Sequence, residues 1–250
     1  MPHQELNFLG ATRSALKHDH LLQTPDTFVR TPLPGAENVE FVIHVAPQLG
    51  AEFTQMTAEF KASGKLGPTL AQRFLYVLSG EITVGVNGER HKLSEGGFAY
   101  LPQGTPHSVS ASTDARVALI EKPYEPETGA PAPEVIIRSE AEVAATPLMG
   151  DPDLLVRCLL PDAPAYDFAV NTMVYAPGAA LSMVEIHIME HGLLMLEGGG
   201  IYKLGDSWYP VEAGDFIWMG PYCPQWFGAI GKKPAKYLIY KDWRRHPLGV

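Results

Sequence analysis

Residues 178–200 read GAALSMVEIHIMEHGLLMLEGGG, and this stretch combines potential metal ligands with apolar residues and turn-forming glycines. Within it, Glu185 and His187 are two residues apart, so on a β-strand both side chains would point to one face of the sheet. His191 lies four residues further on, where a tight turn or bulge could bring its imidazole back toward the same interior. One carboxylate and two imidazoles that converge in this way suit Mn, Fe, Zn or Ni.

The surroundings of this segment favour a metal site over a chance arrangement. A bare Glu-x-His-x3-His pattern also arises by chance on a solvated strand face in chains of this length. Here, however, Gly178, Gly198 and Gly214 flank the pattern, and the neighbouring sequence is rich in strand-forming residues. The three side chains are therefore predicted to be metal ligands, with a fourth ligand expected from elsewhere in the chain.

The chain also repeats itself. Residues 73–107 (RFLYVLSGEITVGVNGERHKLSEGGFAYLPQGTPH) run in one register with residues 191–225 (HGLLMLEGGGIYKLGDSWYPVEAGDFIWMGPYCPQ). The matched pairs include Gly80 with Gly198, Gly96 with Gly214, and His107 with Gln225. Because matched glycines fall at turns and matched apolar residues fall in strands, the sequence indicates an internal duplication of one β-barrel unit.

Short apolar runs rich in Val, Ile, Tyr, Phe and Leu alternate with turn signals along the whole chain, which predicts an all-β fold of antiparallel hairpins. The representative strands are Phe41–Val45, Phe74–Leu78, Glu81–Val86, Leu193–Leu196 and Tyr237–Tyr240. The stretch KPYEPETGAPAP (122–133) concentrates proline and glycine and reads as a linker. We therefore predict an N-terminal domain over 1–125, which includes an N-terminal arm, and a C-terminal domain over 134–250.

The composition and net charge of the chain argue against nucleic acid and membranes as binding partners. The formal net charge is −9 and the sequence pI is about 5.4, so an acidic surface would repel nucleic acid and anionic lipid. Only two cysteines occur, Cys158 and Cys223, which argues against a disulfide framework. The N-terminus does not resemble a secretory signal, and no stretch has the length and hydropathy of a membrane span. These features predict a cytoplasmic protein without nucleic-acid or membrane partners.

The segment around Glu185 resembles the first motif of the cupin family, G-x5-H-x-H-x3,4-E-x6-G, with the order of ligand types changed. Glu185 stands where the family usually has its first histidine, and His191 stands where it has glutamate. The second motif, G-x5-P-x-G-x2-H-x3-N, is represented by Gly214, Gly220, Tyr222 and Gln225. The resemblance implies a bicupin, with two tandem cupin barrels of the double-stranded β-helix or jelly-roll type.

The N-terminal half lacks this ligand set. In the register of the repeat, Gly67, Thr69 and Arg73 occupy its first-motif ligand positions, and only His107 remains from the second motif. None of the first three is a usual metal ligand. We therefore expect a degenerate barrel that completes the fold or an oligomer interface, and we expect His107 to be a hydrogen-bonded histidine.

The permuted order with a distant glutamine looks specifically like the (S)-ureidoglycine aminohydrolases, manganese-dependent bicupins of allantoin degradation. The resemblance extends over nearly the whole chain and includes KHDHLLQTPD (17–26), LGAEF (49–53) and MEHGLLMLEGGGIYKLGDSWYPVEAGDFIWMGPY (189–222). It implies metal ligation by Glu185, His187, His191 and Gln225. It also implies substrate contacts from Tyr237 and Lys241, in addition to Glu185 and Gln225.

The implied reaction releases ammonia from (S)-ureidoglycine and gives (S)-ureidoglycolate. A divalent ion, Mn²⁺ by resemblance, would bind or polarise the reactants, although Fe, Ni or Zn would also accept these ligands. In our hypothesis, Lys241 and the ion fix the substrate while Glu185 transfers protons. Tyr202 and Trp218 are weaker candidates for the pocket wall, because aromatic residues in barrels usually belong to the core.

Other interpretations of the same residues remain. Without the resemblance, Tyr237 and Lys241 would be read as part of a surface strand. A metal-dependent bicupin dioxygenase or an oxalate-type oxidoreductase would use the same barrel, although such sites usually keep histidine-rich ligation. A non-catalytic cupin that binds a small molecule is the third possibility. Bicupins commonly assemble through β-surfaces, so a homo-oligomer is expected.

Overall fold

The computed structural model describes residues 12–243, and the ends of both predicted domains, 1–11 and 244–250, lie outside the described residues. The strands of the first half are β1 (Ala15–Leu16), β2 (His20–Gln23), β3 (Arg30–Thr31), β4 (Ala36–Val45), β5 (Thr54–Leu66), β6 (Gln72–Ser79), β7 (Glu81–Val86), β8 (Glu89–Ser94), β9 (Gly97–Leu101), β10 (His107–Ser110) and β11 (Ala115–Lys122).

The strands of the second half follow the linker. They are β12 (Ile136–Ser139), β13 (Thr146–Leu148), β14 (Asp151–Cys158), β15 (Phe168–Tyr175), β16 (His191–Glu197), β17 (Gly199–Leu204), β18 (Ser207–Glu212), β19 (Phe216–Met219), β20 (Gln225–Ala229) and β21 (Ala235–Asp242). Single 3₁₀ turns occur at Pro25–Thr27, Pro47–Leu49 and Glu140–Glu142. No helix within residues 12–243 has the length and hydropathy needed to cross a membrane.

Antiparallel hairpins build both halves, as the alternation of apolar runs and turn signals predicted. The β7–β8 hairpin turns at Asn87-Gly88, where both residues have positive φ, 53° and 81°. That backbone suits the type I′ turn, which matches the twist of two adjacent antiparallel strands. Every representative strand predicted from the sequence lies within an observed strand.

The N-terminal barrel is one ten-stranded sheet in the order β12-β9-β6-β11-β5-β10-β7-β8, with β3 and β4 added through β5. The C-terminal barrel combines an eight-stranded sheet, β1-β2-β19-β16-β21-β15-β14-β13, with a three-stranded sheet, β18-β17-β20. Each barrel encloses its own apolar interior, around Val77 and Leu119 in the first and around Leu193 and Ile239 in the second. The predicted all-β bicupin fold is confirmed.

The two barrels exchange strands. Strand β2, from the N-terminal arm, pairs with β19 of the C-terminal barrel, with Leu22 opposite Ile217. Strand β12, which follows the linker, pairs with β9 of the N-terminal barrel, with Ile137 opposite Ala99. The bounds 1–125 and 134–250 stay a prediction, and strand pairing crosses the division between them in both directions.

A third apolar cluster fills the space between the barrels. It contains Phe53, whose ring stacks on that of Tyr240 at a centroid distance of 4.0 Å. Gly192 is required there, because a Cβ atom at this position would lie 2.2 Å from Gln55 Oε1 and 2.6 Å from the Phe53 ring. The strand that begins with His191 is thereby held against the N-terminal barrel.

Candidate metal centre

The segment that carries Glu185 and His187 is irregular, so the expectation that both lie on a regular strand is wrong. Glu185 forms only a single antiparallel bridge with Gln225, through its N–H to the Gln225 carbonyl at 2.8 Å and the reverse bond at 2.9 Å. The two side chains nevertheless point the same way, because Glu185 Oε2 lies 3.1 Å from His187 Nε2. The bridge to β20, and not strand alternation, fixes their direction.

His191 begins β16 and is 1% exposed. Its ring lies near that of His187, at a centroid distance of 5.4 Å. Burial, together with the positive charge of Lys241, lowers the pKa of His191 well below its ordinary value. The imidazole is therefore neutral, which is the form that binds a metal.

The Nδ1 atom of His191 is buried and has no hydrogen-bond partner among residues 12–243. The imidazole therefore has a ring nitrogen that side-chain hydrogen bonds do not occupy. Gln225, 4% exposed, lies opposite Glu185 at the start of β20. The donor set of carboxylate, two imidazoles and an amide thus fits a divalent ion, held from a loop, β16 and β20.

The ligand atoms of this set are less tightly clustered than those of another group. Among residues 12–243, the one group of His, Cys, Asp or Glu side chains with all ligand atoms within 4.8 Å is Asp19, His20 and Cys223. Both nitrogens of His20 already have partners there, Asp19 Oδ1 at 2.8 Å and the Tyr209 hydroxyl at 2.9 Å. Burial also raises the pKa of the Cys223 thiol to about 11. This cluster is better explained as a brace between the arm and the C-terminal barrel.

Lys241 lies on β21 directly opposite His191, and Tyr237 lies four residues earlier on the same face. Burial lowers the pKa of Lys241, while the negative charge of Glu185 opposes that shift. Tyr237 is 2% exposed, and its hydroxyl lies 2.7 Å from that of Tyr175. The structure thus places Tyr237 in the barrel interior, and Lys241 opposite the neutral His191 and near the charge of Glu185.

The two aromatic candidates for the pocket wall belong to different apolar clusters. Tyr202 is buried inside the C-terminal barrel, where its hydroxyl donates to Met219 Sδ at 3.6 Å. Trp218 points to the other face, into the cluster between the barrels, and donates from Nε1 to Glu190 at 3.1 Å. Only Tyr202 therefore faces the interior that contains the predicted ligands.

Strand β15 contributes residues that the sequence analysis did not single out. Tyr175 reaches Tyr237, and Asn171 lies opposite Ile239, so both face the interior of the C-terminal barrel. No motif marks this strand. The only available signal was the alternation of Asn171, Met173 and Tyr175 along a strand that pairs with β21.

In the N-terminal barrel, the equivalent positions contain an internal ion pair. Arg73, which matches His191, donates from Nε and Nη2 to Glu121 Oε1 at 2.7 and 2.6 Å. Its Nη1 atom donates to the Gly67 carbonyl at 2.8 Å and to His107 Nε2 at 2.9 Å. A guanidinium of the chain thus fills the place that the first barrel offers for a ligand.

Comparison with known proteins identifies the family. The family model described as "Cupin domain" matches residues 69–121 and 171–240. The (S)-ureidoglycine aminohydrolase of Arabidopsis thaliana is 41% identical over 96% of this chain and 80% of its own length. The Escherichia coli K12 protein of the same name is 34% identical over 95% of this chain and 94% of its own.

A solved structure agrees with these sequence relatives. The crystal structure of protein Ylba from E. coli superposes with a TM-score of 0.84, at 31% identity, over 97% of this chain and 98% of that one. The agreement extends through both barrels and is not confined to the motif-bearing half. The chain therefore belongs to the (S)-ureidoglycine aminohydrolase family of cupin proteins.

Proposed function

We propose that this chain is a metal-dependent hydrolase that converts (S)-ureidoglycine and water to (S)-ureidoglycolate and ammonia. The observation that carries the proposal is the meeting of a neutral, buried His191 that has an unpartnered nitrogen with Glu185, His187 and Lys241. Relatives 34–41% identical to this chain carry the name of that activity. The proposed metal ligands are Glu185, His187, His191 and Gln225.

The proposed ion is Mn²⁺, and Fe, Ni and Zn also accept oxygen and imidazole ligands. When bound, it would supply Lewis acidity and a fixed position for the amine, carboxylate or water. Lys241 suits the substrate carboxylate, because an ammonium in a buried site pairs strongly with an anion. Tyr237 offers a hydroxyl already fixed by Tyr175.

The net reaction requires one proton transfer that Glu185 can carry out. The bond between Cα and the amine nitrogen breaks, and a bond between Cα and the oxygen of water forms. The nitrogen leaves with the bonding electron pair and gains a proton, while water loses one. A carboxylate beside both groups can accept the proton from water and deliver it to the departing amine.

Turnover tests this function directly. Because (S)-ureidoglycine decays spontaneously, it is generated in place from allantoate, and ammonia release is compared with and without the Mn²⁺-loaded chain. We expect faster release that yields one ureidoglycolate enantiomer, and chelation should abolish the acceleration. Glu185→Gln should lower kcat by about 10²-fold or more, since general acid–base catalysis contributes typically 10²–10⁴-fold.

The N-terminal barrel provides the matched control. His107→Ala, which removes the counterpart of Gln225, should keep one bound ion per chain and wild-type turnover. His191→Ala should lose both the ion, measured by elemental analysis, and turnover. A chain that binds the ion and gives no acceleration over the spontaneous rate would refute the hydrolase and bring the oxidoreductase alternative forward.

We further propose that the chain is a homo-oligomer of the cytoplasm that acts on a small ureido substrate. The exposed apolar side chains beside the metal-site segment, Met183, Val184 and Ile186, support self-association. The two cysteines are free, which is usual in a reducing compartment. Light scattering of the purified chain gives the number of subunits.

A further inference from the structure

Asn171 is a buried polar residue in an otherwise apolar row of the C-terminal barrel. It lies opposite Ile239 on β21 and opposite Cys158 on β14. Directly opposed residues point to the same face of a sheet, so Asn171 shares the interior with Ile239 and, one strand further, with Leu193. Leucine or isoleucine would be the expected residue in such a row.

The carboxamide of Asn171 has no hydrogen-bond partner in the part of the chain that the structure describes, although the residue is only 7% exposed. Neither amide atom of Asn171 is among the fully enclosed, unpartnered side-chain atoms of residues 12–243, so the carboxamide lines a space that solvent reaches. A carboxamide with no protein partner in such a space has both its donor and its acceptor available to a ligand. The side chains next to Asn171 therefore indicate the chemistry of that ligand.

The two residues of the proposed substrate site lie on either side of Asn171. Lys241 and Tyr237 are the positions two residues after and two residues before Ile239, so both are diagonal neighbours of Asn171 across the β15–β21 pair. Diagonal neighbours lie roughly 7–8 Å apart, within reach of long side chains, so one small molecule bound on this face can contact all three residues. Asn171 thus lines the same space as the ammonium and the phenol.

Each polar group of the substrate can be matched to a side chain with complementary hydrogen-bonding capacity. Lys241 only donates hydrogen bonds and Glu185 only accepts them, which suits a carboxylate and an amine respectively. The Tyr237 hydroxyl is already bonded to Tyr175, and the Gln225 amide is a proposed metal ligand. A ureido group needs an acceptor for its NH₂ and a donor for its carbonyl, and a free carboxamide provides both.

We propose that Asn171 binds the ureido group of the substrate and so determines specificity for carbamoyl over acyl amino acids. This inference rests on the proposed function for the identity of the substrate. Asn171 is a specificity residue in this arrangement, because it touches the end of the molecule that does not react. The bond that breaks lies on the side of Glu185 and the metal ligands.

Two inert ligands test this assignment on the full-length, Mn²⁺-loaded chain. N-carbamoylglycine keeps the carboxylate and the ureido group but lacks the amine that leaves, and N-acetylglycine replaces the ureido NH₂ by a methyl group. We expect the wild type to bind N-carbamoylglycine about tenfold more tightly, the effect of one well-made hydrogen bond in a desolvated site. Titration calorimetry measures both dissociation constants.

The variant Asn171→Leu should bring the two dissociation constants to within about twofold of each other while bound Mn²⁺ stays at the wild-type level. Cys158→Ser changes the neighbouring side chain of the same row and should keep the preference. If Asn171→Leu does not fold, Asn171→Asp replaces it, because aspartate keeps the size but loses the NH₂ donor. It should likewise reduce the preference.

An Asn171→Leu chain that binds Mn²⁺ and still prefers N-carbamoylglycine tenfold would overturn the assignment. The result is independent of turnover. If the wild type fails to release ammonia from (S)-ureidoglycine yet shows a preference that depends on Asn171, the hydrolase proposal fails and the ureido-binding residue stands. If turnover is found and the preference survives the substitution, the hydrolase proposal stands and the assignment of Asn171 fails.

Discussion

At the scale of single residues, the Tyr175 and Tyr237 hydroxyls form a buried hydrogen-bonded pair inside the C-terminal barrel. Both side chains are at most 2% exposed, and the two oxygens lie 2.7 Å apart. Burial raises the pKa of each phenol, so both remain protonated at neutral pH. One hydroxyl donates and the other accepts, and each fixes the orientation of the other.

The contributions of these two hydroxyls to the free energy of unfolding should depend strongly on each other. Tyr175→Phe leaves the Tyr237 hydroxyl buried without that partner, which should cost about 1–3 kcal/mol in free energy of unfolding. Removing both hydroxyls with Tyr175→Phe/Tyr237→Phe should cost less than the sum of the two single changes, because no orphaned group remains. Urea unfolding of the three variants measures the cycle. Additive costs would mean that the hydroxyls do not depend on each other.

At the residue level, the spacing of residues in the sequence carried most of the information about the candidate site. The Glu-x-His-x3-His pattern and the matched glycines pointed to one region, and the structure places Glu185 beside His187 there. Asn171 and Tyr175 were missed because a buried polar residue in a strand has no motif. The Arg73–Glu121 pair was missed because its meaning depends on which residues face each other across strands.

At the scale of elements, an ion pair between the half-buried Arg13 and the buried Asp215 joins the N-terminal arm to the C-terminal barrel. Arg13 donates from both Nη atoms to the Asp215 carboxylate and from Nη2 to Glu212 at 2.8 Å. Asp215 is fully buried, and burial raises its pKa while Arg13 opposes that shift. The charge of Asp215 is therefore tolerated largely because the arm is in place.

Arg13→Ala should destabilise the protein by about 2 kcal/mol or more, because it leaves a buried carboxylate without its cation. The loss should increase with pH above the raised pKa of Asp215, where the uncompensated charge is present. Thermal unfolding at pH 5 and pH 7.5 measures both effects. Lys17→Ala, an exposed change in the same arm, should have little effect, and an equal loss in that variant would contradict the assignment.

Element-level prediction recovered the strands but not all of their partners. Alternation and turn residues are local signals, so they located β7, β16 and β21. Pairing of β2 with β19 joins residues nearly two hundred positions apart in the chain, and nothing in the sequence HLLQ (20–23) specifies that partner. For the same reason, the bridge that replaces a strand at Glu185 could not be foreseen.

At the scale of the whole molecule, His44 contacts all three parts of the fold. It hydrogen-bonds to Gln23 of the arm at 2.8 Å and to Thr57 of the N-terminal barrel at 2.9 Å. Its ring stacks on Phe216 of the C-terminal barrel at 4.7 Å. Burial lowers the pKa of His44 to about 3, so the folded protein keeps this imidazole neutral.

Acidic pH should therefore destabilise the folded protein through His44. Between pH 6.5 and 3 the unfolded chain binds a proton at His44 that the folded chain excludes. The free energy of unfolding therefore has its full value above pH 6.5 and decreases as the pH falls through this range. From pH 7 to pH 5 the loss should be about 2 kcal/mol. Urea unfolding at both values measures it.

Substitution identifies the source of that pH dependence. His44→Gln cannot take up the proton, so its free energy of unfolding should decrease about 2 kcal/mol less than that of the wild type between pH 7 and pH 5. His18→Gln, at an exposed side chain of the arm, should keep the wild-type slope. Equal slopes in all three chains would assign the acid sensitivity to other groups.

The exchanged strands have a consequence for how the molecule can be divided. The linker between the barrels is largely exposed over residues 125–133, yet the strand before each barrel belongs to the sheet of the other. A protease that nicks the linker would yield two fragments that stay associated, as in fragment complementation. A chimaera that replaces one barrel by that of a relative would have to import the borrowed strand as well. The two copies left by the ancient duplication can therefore diverge in chemistry, but they are inherited as a single unit.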